Sequence, residues 1–165
     1  MKPEKQADPE RSQVRLLVGG FYVKMENNTT ITGKRGEYRV IGKLLEKGFT
    51  VYTPVADVEG IDCIIRNDKK RLIEIQIKTR NKDGEEGRLF KIKDFEPHKD
   101  FFICCYLIDE DELWVIPSFL FKKMSSLDKD GKRVLPMSLT NQRELANYYN
   151  NLGLNLLKIG EFHNP

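Results

Sequence analysis

Histidine and cysteine, the side chains that hold soft metal ions, are scarce: two and three respectively in 165 residues. His98 and His163 are too few and too scattered for a histidine-based zinc site. Cys63, Cys104 and Cys105 lie inside apolar stretches without a C-x-x-C spacing, and neighbours 104 and 105 in a strand point to opposite faces. They read as small buried apolar residues rather than joint ligands.

Long apolar runs are missing as well. None approaches the roughly 20 residues of a membrane helix, and the longest, Phe101 to Ile108, is interrupted by Tyr106. The opening Met1-Lys2-Pro3-Glu4-Lys5 has no apolar segment after its charges, so no secretory signal is expected and the chain is placed in the cytoplasm, away from membranes. No internal repeat or low-complexity tract is present. Charge of one sign is also lacking: the net charge is +3, which permits nucleic-acid binding without demanding it. The positive residues are bunched, however, into Lys34, Arg35 and Arg39, and into Lys78, Arg80, Lys82 and Arg88.

What is present is the composition of a folded domain, with 39% hydrophobic and 32% charged residues. Residues 1–12, polar and with two prolines, read as a loose tail. Residues 13–165 read as a single domain, with a core at about 34–116 and a C-terminal helical extension over 117–165. Val14 to Met25 packs, but its period leaves helix and strand open. Asn27 to Thr30 reads as a loop. A helix follows from about Lys34 to Lys47, with Tyr38, Val40, Ile41, Leu44 and Leu45 as its apolar stripe and Gly48 as its stop. Glu37 projects along that stripe. Either it faces the core and needs a partner, or it sits in the first turn and interacts with the helix dipole.

Strands are expected at Phe49 to Thr53 and Ile61 to Ile65, with a turn at Asn67 to Lys70 closing a hairpin onto Arg71 to Thr79. A polar loop covers 81–88. Phe101 to Ile108 and Leu113 to Ile116 form a second hairpin, a short helix runs from Ser118 to about Lys123, and a helical stretch from Asn141 to Ile159 is weakened at Gly153. The pattern is α/β.

The hairpin carries the chemistry. In Arg71-Leu72-Ile73-Glu74-Ile75-Gln76-Ile77-Lys78-Thr79, Ile73, Ile75 and Ile77 share one face, and Glu74, Gln76 and Lys78 the other. A plain amphipathic strand has the same alternation. Asp62, in the otherwise apolar run Ile61 to Ile65, pairs near Gln76 and Lys78. A carboxylate and an amide oxygen can chelate a hard cation such as Mg²⁺, while an ammonium holds a phosphate or a water.

At Gly60-Ile61-Asp62 and Glu74-Ile75-Gln76-Ile77-Lys78 the sequence resembles the PD-(D/E)xK nuclease superfamily. Gln76 stands where the usual acid would be, a QxK form similar to that of Mrr-type restriction endonucleases and Holliday-junction-resolvase-like proteins. The resemblance implies a restriction-endonuclease-like core: a central mixed β-sheet flanked by α-helices. It implies Mg²⁺, with Mn²⁺ able to substitute, and an endonuclease acting on DNA. Asp62, Gln76 and Glu37 would be the metal ligands and Lys78 the residue that orients water, with Glu74 either an assisting group or an ordinary strand residue. Lys34, Arg35, Arg39, Arg80, Lys82 and Arg88 would contact phosphates. A homodimer is expected, since cutting both strands usually takes two active sites, with Phe101-Phe102 or the C-terminal helix as the surface. Gln76 leaves an alternative: a catalytically inactive nucleic-acid-binding or assembly module of the same fold.

Overall fold

Among the described residues short strands alternate with four helices, and long-range strand pairings decide where the chemistry-bearing residues meet. The computed structural model describes residues 15–18, 21–24, 29–56, 60–81 and 88–160. The expected tail, Lys82 and most of the polar loop around it lie outside these residues. Strands β1 (Arg15–Val18) and β2 (Phe21–Lys24) pair antiparallel, which settles the ambiguous segment as strand.

Helix α1 spans Thr29–Glu46, beginning at Thr29 rather than Lys34. Thr29, Thr30, Ile31 and Thr32 are weak helix formers, but propensity yields to packing once the helix is anchored further along. The anchors are Val40 and Leu44, both fully buried, whereas Tyr38 and Leu45 are 70% and 55% exposed. The expected five-residue stripe is therefore narrower: one face of the helix meets the sheet, and positions 38 and 45 turn away. Gly48 ends the helix with φ of +83°, a conformation that favours glycine.

The chain continues through β3 (Thr50–Tyr52), β4 (Cys63–Arg66), β5 (Leu72–Arg80), β6 (Leu89–Lys93), β7 (Phe101–Leu107) and β8 (Glu112–Pro117). Next come α2 (Ser118–Met124), β9 (Ser126–Leu127), β10 (Lys132–Pro136), α3 (Leu139–Glu144), a 3₁₀ turn (Ala146–Tyr148) and α4 (Asn150–Ile159). The main sheet has the order β3-β4-β5-β7-β8. It is mixed, with β5 and β7 parallel and the other pairs antiparallel.

Apolar side chains fill both faces of this sheet. On one, Val40 and Leu44 of α1 and Leu154 and Leu157 of α4 cover Ile73, Ile75, Ile77, Cys63, Cys104 and Tyr106. On the other, Phe90, Ile92, Phe121 and Leu135 cover Ile103, Cys105, Trp114 and Ile116. Each such aliphatic residue contributes about 1.5–3 kcal/mol when fully buried. Every residue of β7 is buried, which explains its unbroken apolar run. Cys104 and Cys105 do fall on opposite faces.

Three expectations are corrected. Phe101 and Phe102, at 7% and 1% exposure, are core residues and offer no surface for a second copy. The segment 117–165 is not simply helical, because β10 pairs with β6 and β9 to form a three-stranded sheet. A boundary at residue 116 therefore cuts through a sheet, whose short strands are joined by pairings too distant in sequence to leave a local signal. The C-terminal helix breaks at Leu145 to Tyr149 rather than at Gly153, which is buried within α4.

Candidate active site

The site grows from the β4–β5 hairpin. The register pairs Cys63 with Ile75, and Asp62 stands one residue before β4. The Asp62 backbone N–H also donates to Ile75 O, at 2.9 Å, so Asp62 and Cys63 both meet Ile75. Its carboxylate Oδ2 accepts the N–H of Ile77 at 2.6 Å. That side-chain bond stands where the next rung would be, and it fixes the carboxylate at the strand end.

Helix α1 brings Lys34 and Glu37, from its second and third turns, to the same place. Gly36 lies directly against Thr79, where a Cβ on residue 36 would be 1.9 Å from Thr79 Oγ1. The absent side chain lets the helix backbone approach β5, and the next residue, Glu37, is carried into a cleft of about 570 Å³ together with Lys34, Asp62 and Lys78. Pro54 and Ile61 supply apolar wall. Because α1 starts at Thr29, Glu37 lies well inside the helix and the first turn has no acid, so the dipole reading does not apply. The partner that its half-covered carboxylate requires is Lys34, whose Nζ is 2.5 Å from Oε2.

Charge in this cleft is unevenly compensated. Burial pushes the Asp62 carboxyl above the usual carboxylate range; the Ile77 N–H opposes this, Glu37 adds to it, and Lys78 and Lys34 pull the other way. The Lys34 ammonium is held above its ordinary value by its bond to Glu37. Burial, with Asp62 and Glu37 adding, pushes the Cys63 thiol up to about 12.

Gln76 and Glu74 line an adjoining cleft of about 420 Å³ with Gly60, His98 and Phe101. Ile61 lines both spaces. Gln76 is 7% exposed, and its Nε2 would be 2.9 Å from a Cβ on Gly60, whose φ of +72° already favours glycine. Glu74 Oε2 lies 3.0 Å from His98 Nε2, and the imidazole stacks on Phe101 at 5.5 Å. In the sequence His98 is simply one of two scattered histidines. Its place beside Glu74 follows from the parallel pairing of Glu74 with Phe101, which has no local signature. Among the described residues no group of three His, Cys, Asp or Glu side chains is arranged to hold a metal ion.

The structure thus gathers Lys34, Glu37, Asp62 and Lys78, and turns Gln76 and Glu74 toward the neighbouring space. The remaining basic residues are dispersed. Arg35 is exposed beside Lys34. Arg39 Nη1 donates to Ile108 O at 3.1 Å, and Arg80 Nε donates to Leu89 O at 2.9 Å. Arg88 Nη2 meets both carboxylate oxygens of Glu110 at 3.1 Å, with Glu112 at 3.7 Å from Nη1.

Comparison with known proteins gives the family and the fold. A family profile described as PD-(D/E)XK endonuclease matches residues 27–133, well over half of the chain. Among solved structures, a bacterial homing endonuclease superposes with a TM-score of 0.57 at 20% identity, covering 81% of this chain and 96% of that one. At that identity the likeness is one of fold: a restriction-endonuclease-like mixed sheet flanked by helices. No curated protein matches the sequence.

Proposed function

The chain belongs to the PD-(D/E)XK endonuclease family, and from that premise we propose that it is a Mg²⁺-dependent endonuclease hydrolysing phosphodiester bonds in DNA. The observation that carries the reading is the shared cleft of Glu37, Asp62, Lys78 and Lys34 at the end of β5. Two carboxylates with an amide nearby suit Mg²⁺, which is commonly held by one or two carboxylates, several waters and substrate phosphates.

The donor chemistry supports that fit. Asp62 Oδ2 is occupied by Ile77 N–H. Glu37 faces Asp62 with the same charge and raises its proton affinity, a repulsion that a divalent cation relieves. Asp62 and Glu37 would hold the ion, and Gln76 would add its side-chain oxygen from the adjoining cleft. When bound, the ion offsets charge on the phosphate and acidifies a water.

The chain's own groups do the rest. Lys78 orients the attacking water and offsets the charge that grows on the phosphate oxygens. Ile77 holds Asp62 in place through its N–H. Lys34, released from Glu37, and Arg35 contact backbone phosphates, with Lys82 joining them by its position in the sequence. Arg39, Arg80 and Arg88, which have intramolecular partners, would reach phosphates only by exchanging them.

Nicking of supercoiled plasmid with Mg²⁺ or Mn²⁺ tests the reading, with Asp62→Ala and Lys78→Ala as controls. Cleavage by the parent that both substitutions abolish is expected; equal cleavage by Asp62→Ala would sink the assignment. One observation favours a second reading, a binding or assembly module without cleavage: Gln76 is turned toward Gly60 instead of sharing the Asp62 cleft. Parent protein that binds DNA yet never nicks it with either ion would establish that alternative.

A further inference from the structure

The small sheet β6-β10-β9 carries a juxtaposition that folding alone does not favour. In β6, Phe90 and Ile92 are buried, so the alternate residues Lys91 and Lys93 point away from the core. In β10, Leu135 is buried, which puts Lys132 and Val134 on that same outer face. The register sets Lys132 directly opposite Lys93 and Val134 opposite Lys91. Like charges directly opposed across a ladder are destabilising.

The neighbouring arginine, by contrast, is paired. Arg133, one residue along from Lys132, has its Nε 2.7 Å from Asp94 Oδ1. Neither Lys93 nor Lys132 forms an ion pair among the described residues. Asp128 is the acid that faces Lys132; its carboxylate is already engaged by the backbone N–H groups of Lys132 and Asp130, with Lys91 and Lys132 adding longer-range attraction. Lys93 also lines, with Asp94 and Glu96, the cleft that holds Gln76 and Glu74, and Asp94 is taken up by Arg133 while Glu96 lies 3.4 Å from Lys122. The outer face of the sheet therefore begins at the edge of the candidate site.

We infer that this face is a phosphate-binding platform for the DNA backbone where it leaves the cleft, with Lys93 and Lys132 clamping one phosphate between them. The choice of polyanion rests on the nuclease reading, and the Lys93–Lys132 opposition supplies the position. A phosphate between two opposed ammonium groups converts their repulsion into paired attraction and releases counterions from the duplex.

Fluorescence anisotropy of a labelled DNA duplex with the full chain in EDTA measures this separately from cleavage. Lys93→Glu and Lys132→Glu are expected to weaken binding severalfold and to lower the slope of log affinity against log salt by about 1 each. Either single reversal also places opposite charges across the ladder, so the free protein should melt no lower than the parent. Lys70→Glu, at the far turn of the β4–β5 hairpin, serves as the net-charge control. Affinity unchanged by both reversals overturns the platform, as does an equal loss with Lys70→Glu. If the parent nicks plasmid and the reversals bind normally, the platform fails and the nuclease reading stands. If the reversals weaken binding but the parent never nicks, the platform stands and the nuclease reading fails.

Discussion

Gly36 and Thr79 meet so closely that a Cβ on Gly36 would lie 1.9 Å from Thr79 Oγ1 and 2.6 Å from Thr79 Cβ. No side chain fits there unless α1 moves away from the end of β5. The helix carries Glu37 in its next residue, so the separation of helix and strand also sets the separation of Glu37 from Asp62 and Lys78. Gly36→Ala is expected to destabilise the protein by about 1–3 kcal/mol through overpacking, and to reduce cleavage beyond what the lost stability explains. Combining it with Thr79→Ala removes the two nearest atoms and should restore part of both. Urea denaturation and the Mg²⁺ concentration needed for half-maximal nicking read the two effects. A Gly36→Ala protein with parental metal dependence would refute the positioning role.

Lys78 has no structural duty of comparable weight, because its side chain lines the cleft instead of filling the core. Lys78→Ala should lower the single-turnover cleavage rate by about 10²–10³-fold, the scale on which one positioned charge acts in a transition state. Its melting temperature should stay near the parent's. A rate within a few-fold of the parent would remove Lys78 from the chemistry.

Asp62 places function and stability in opposition. Burial of its charge, reinforced by Glu37, holds the folded carboxyl above the ordinary 3.8 despite the Ile77 N–H. The folded state thus binds this proton more tightly than the unfolded chain. Stability from this group falls as pH rises from 3.8 through the raised folded value, and the cost is fully present above it. Metal-free Asp62→Asn should therefore melt higher than the parent at pH 7, with the advantage fading as pH approaches 4. Asp94 and Asp111 are held below the ordinary value chiefly by hydrogen bonds from Arg133 and Lys43, and they act in the reverse sense. The difference between parent and Asp62→Asn isolates the one group. Adding Mg²⁺ should raise the parent's melting temperature and leave that of Asp62→Asn nearly unchanged. Scanning calorimetry in EDTA and in Mg²⁺ provides both comparisons, and a lower melting temperature for Asp62→Asn at pH 7 would contradict the account.

The three cysteines are free and buried. Burial pushes all three thiols upward, Cys63 to about 12, so the reactive thiolate is nearly absent at pH 8. A thiol-reactive chromophore should label none of them in native protein within minutes and all three in guanidinium chloride. Rapid labelling of a cysteine in the native state would show that the sheet opens there.

Local alternation made the hairpin legible. Ile73, Ile75 and Ile77 on one face follow from a period of two, and all three are buried in one cluster; the tight turn brings Asp62 against β5, where its carboxylate accepts the Ile77 N–H. The β7–β8 hairpin and α2 follow from equally short-range signals. Fully buried β7 also announced itself as an uninterrupted apolar run, but its parallel pairing with β5, and with it the His98–Glu74 contact, did not. The strands β6 and β10 escaped notice because each offers few alternating apolar residues and their partner lies some forty positions away. Glu37's need for a partner is legible, and Lys34, three residues earlier on the same helix, supplies it.

By itself, then, the sequence determined the α/β pattern, the hairpin that brings Asp62 to β5 and the identity of the acid, amide and ammonium groups, since these depend on neighbours within one hairpin. The tertiary structure alone decided which of them share a cleft. Asp62, Glu37 and Lys78 come together because Gly36 lets α1 settle onto Thr79, while Gln76 turns to Gly60 and Glu74 to His98. Those outcomes depend on contacts between segments whose separation in sequence carries no periodic trace.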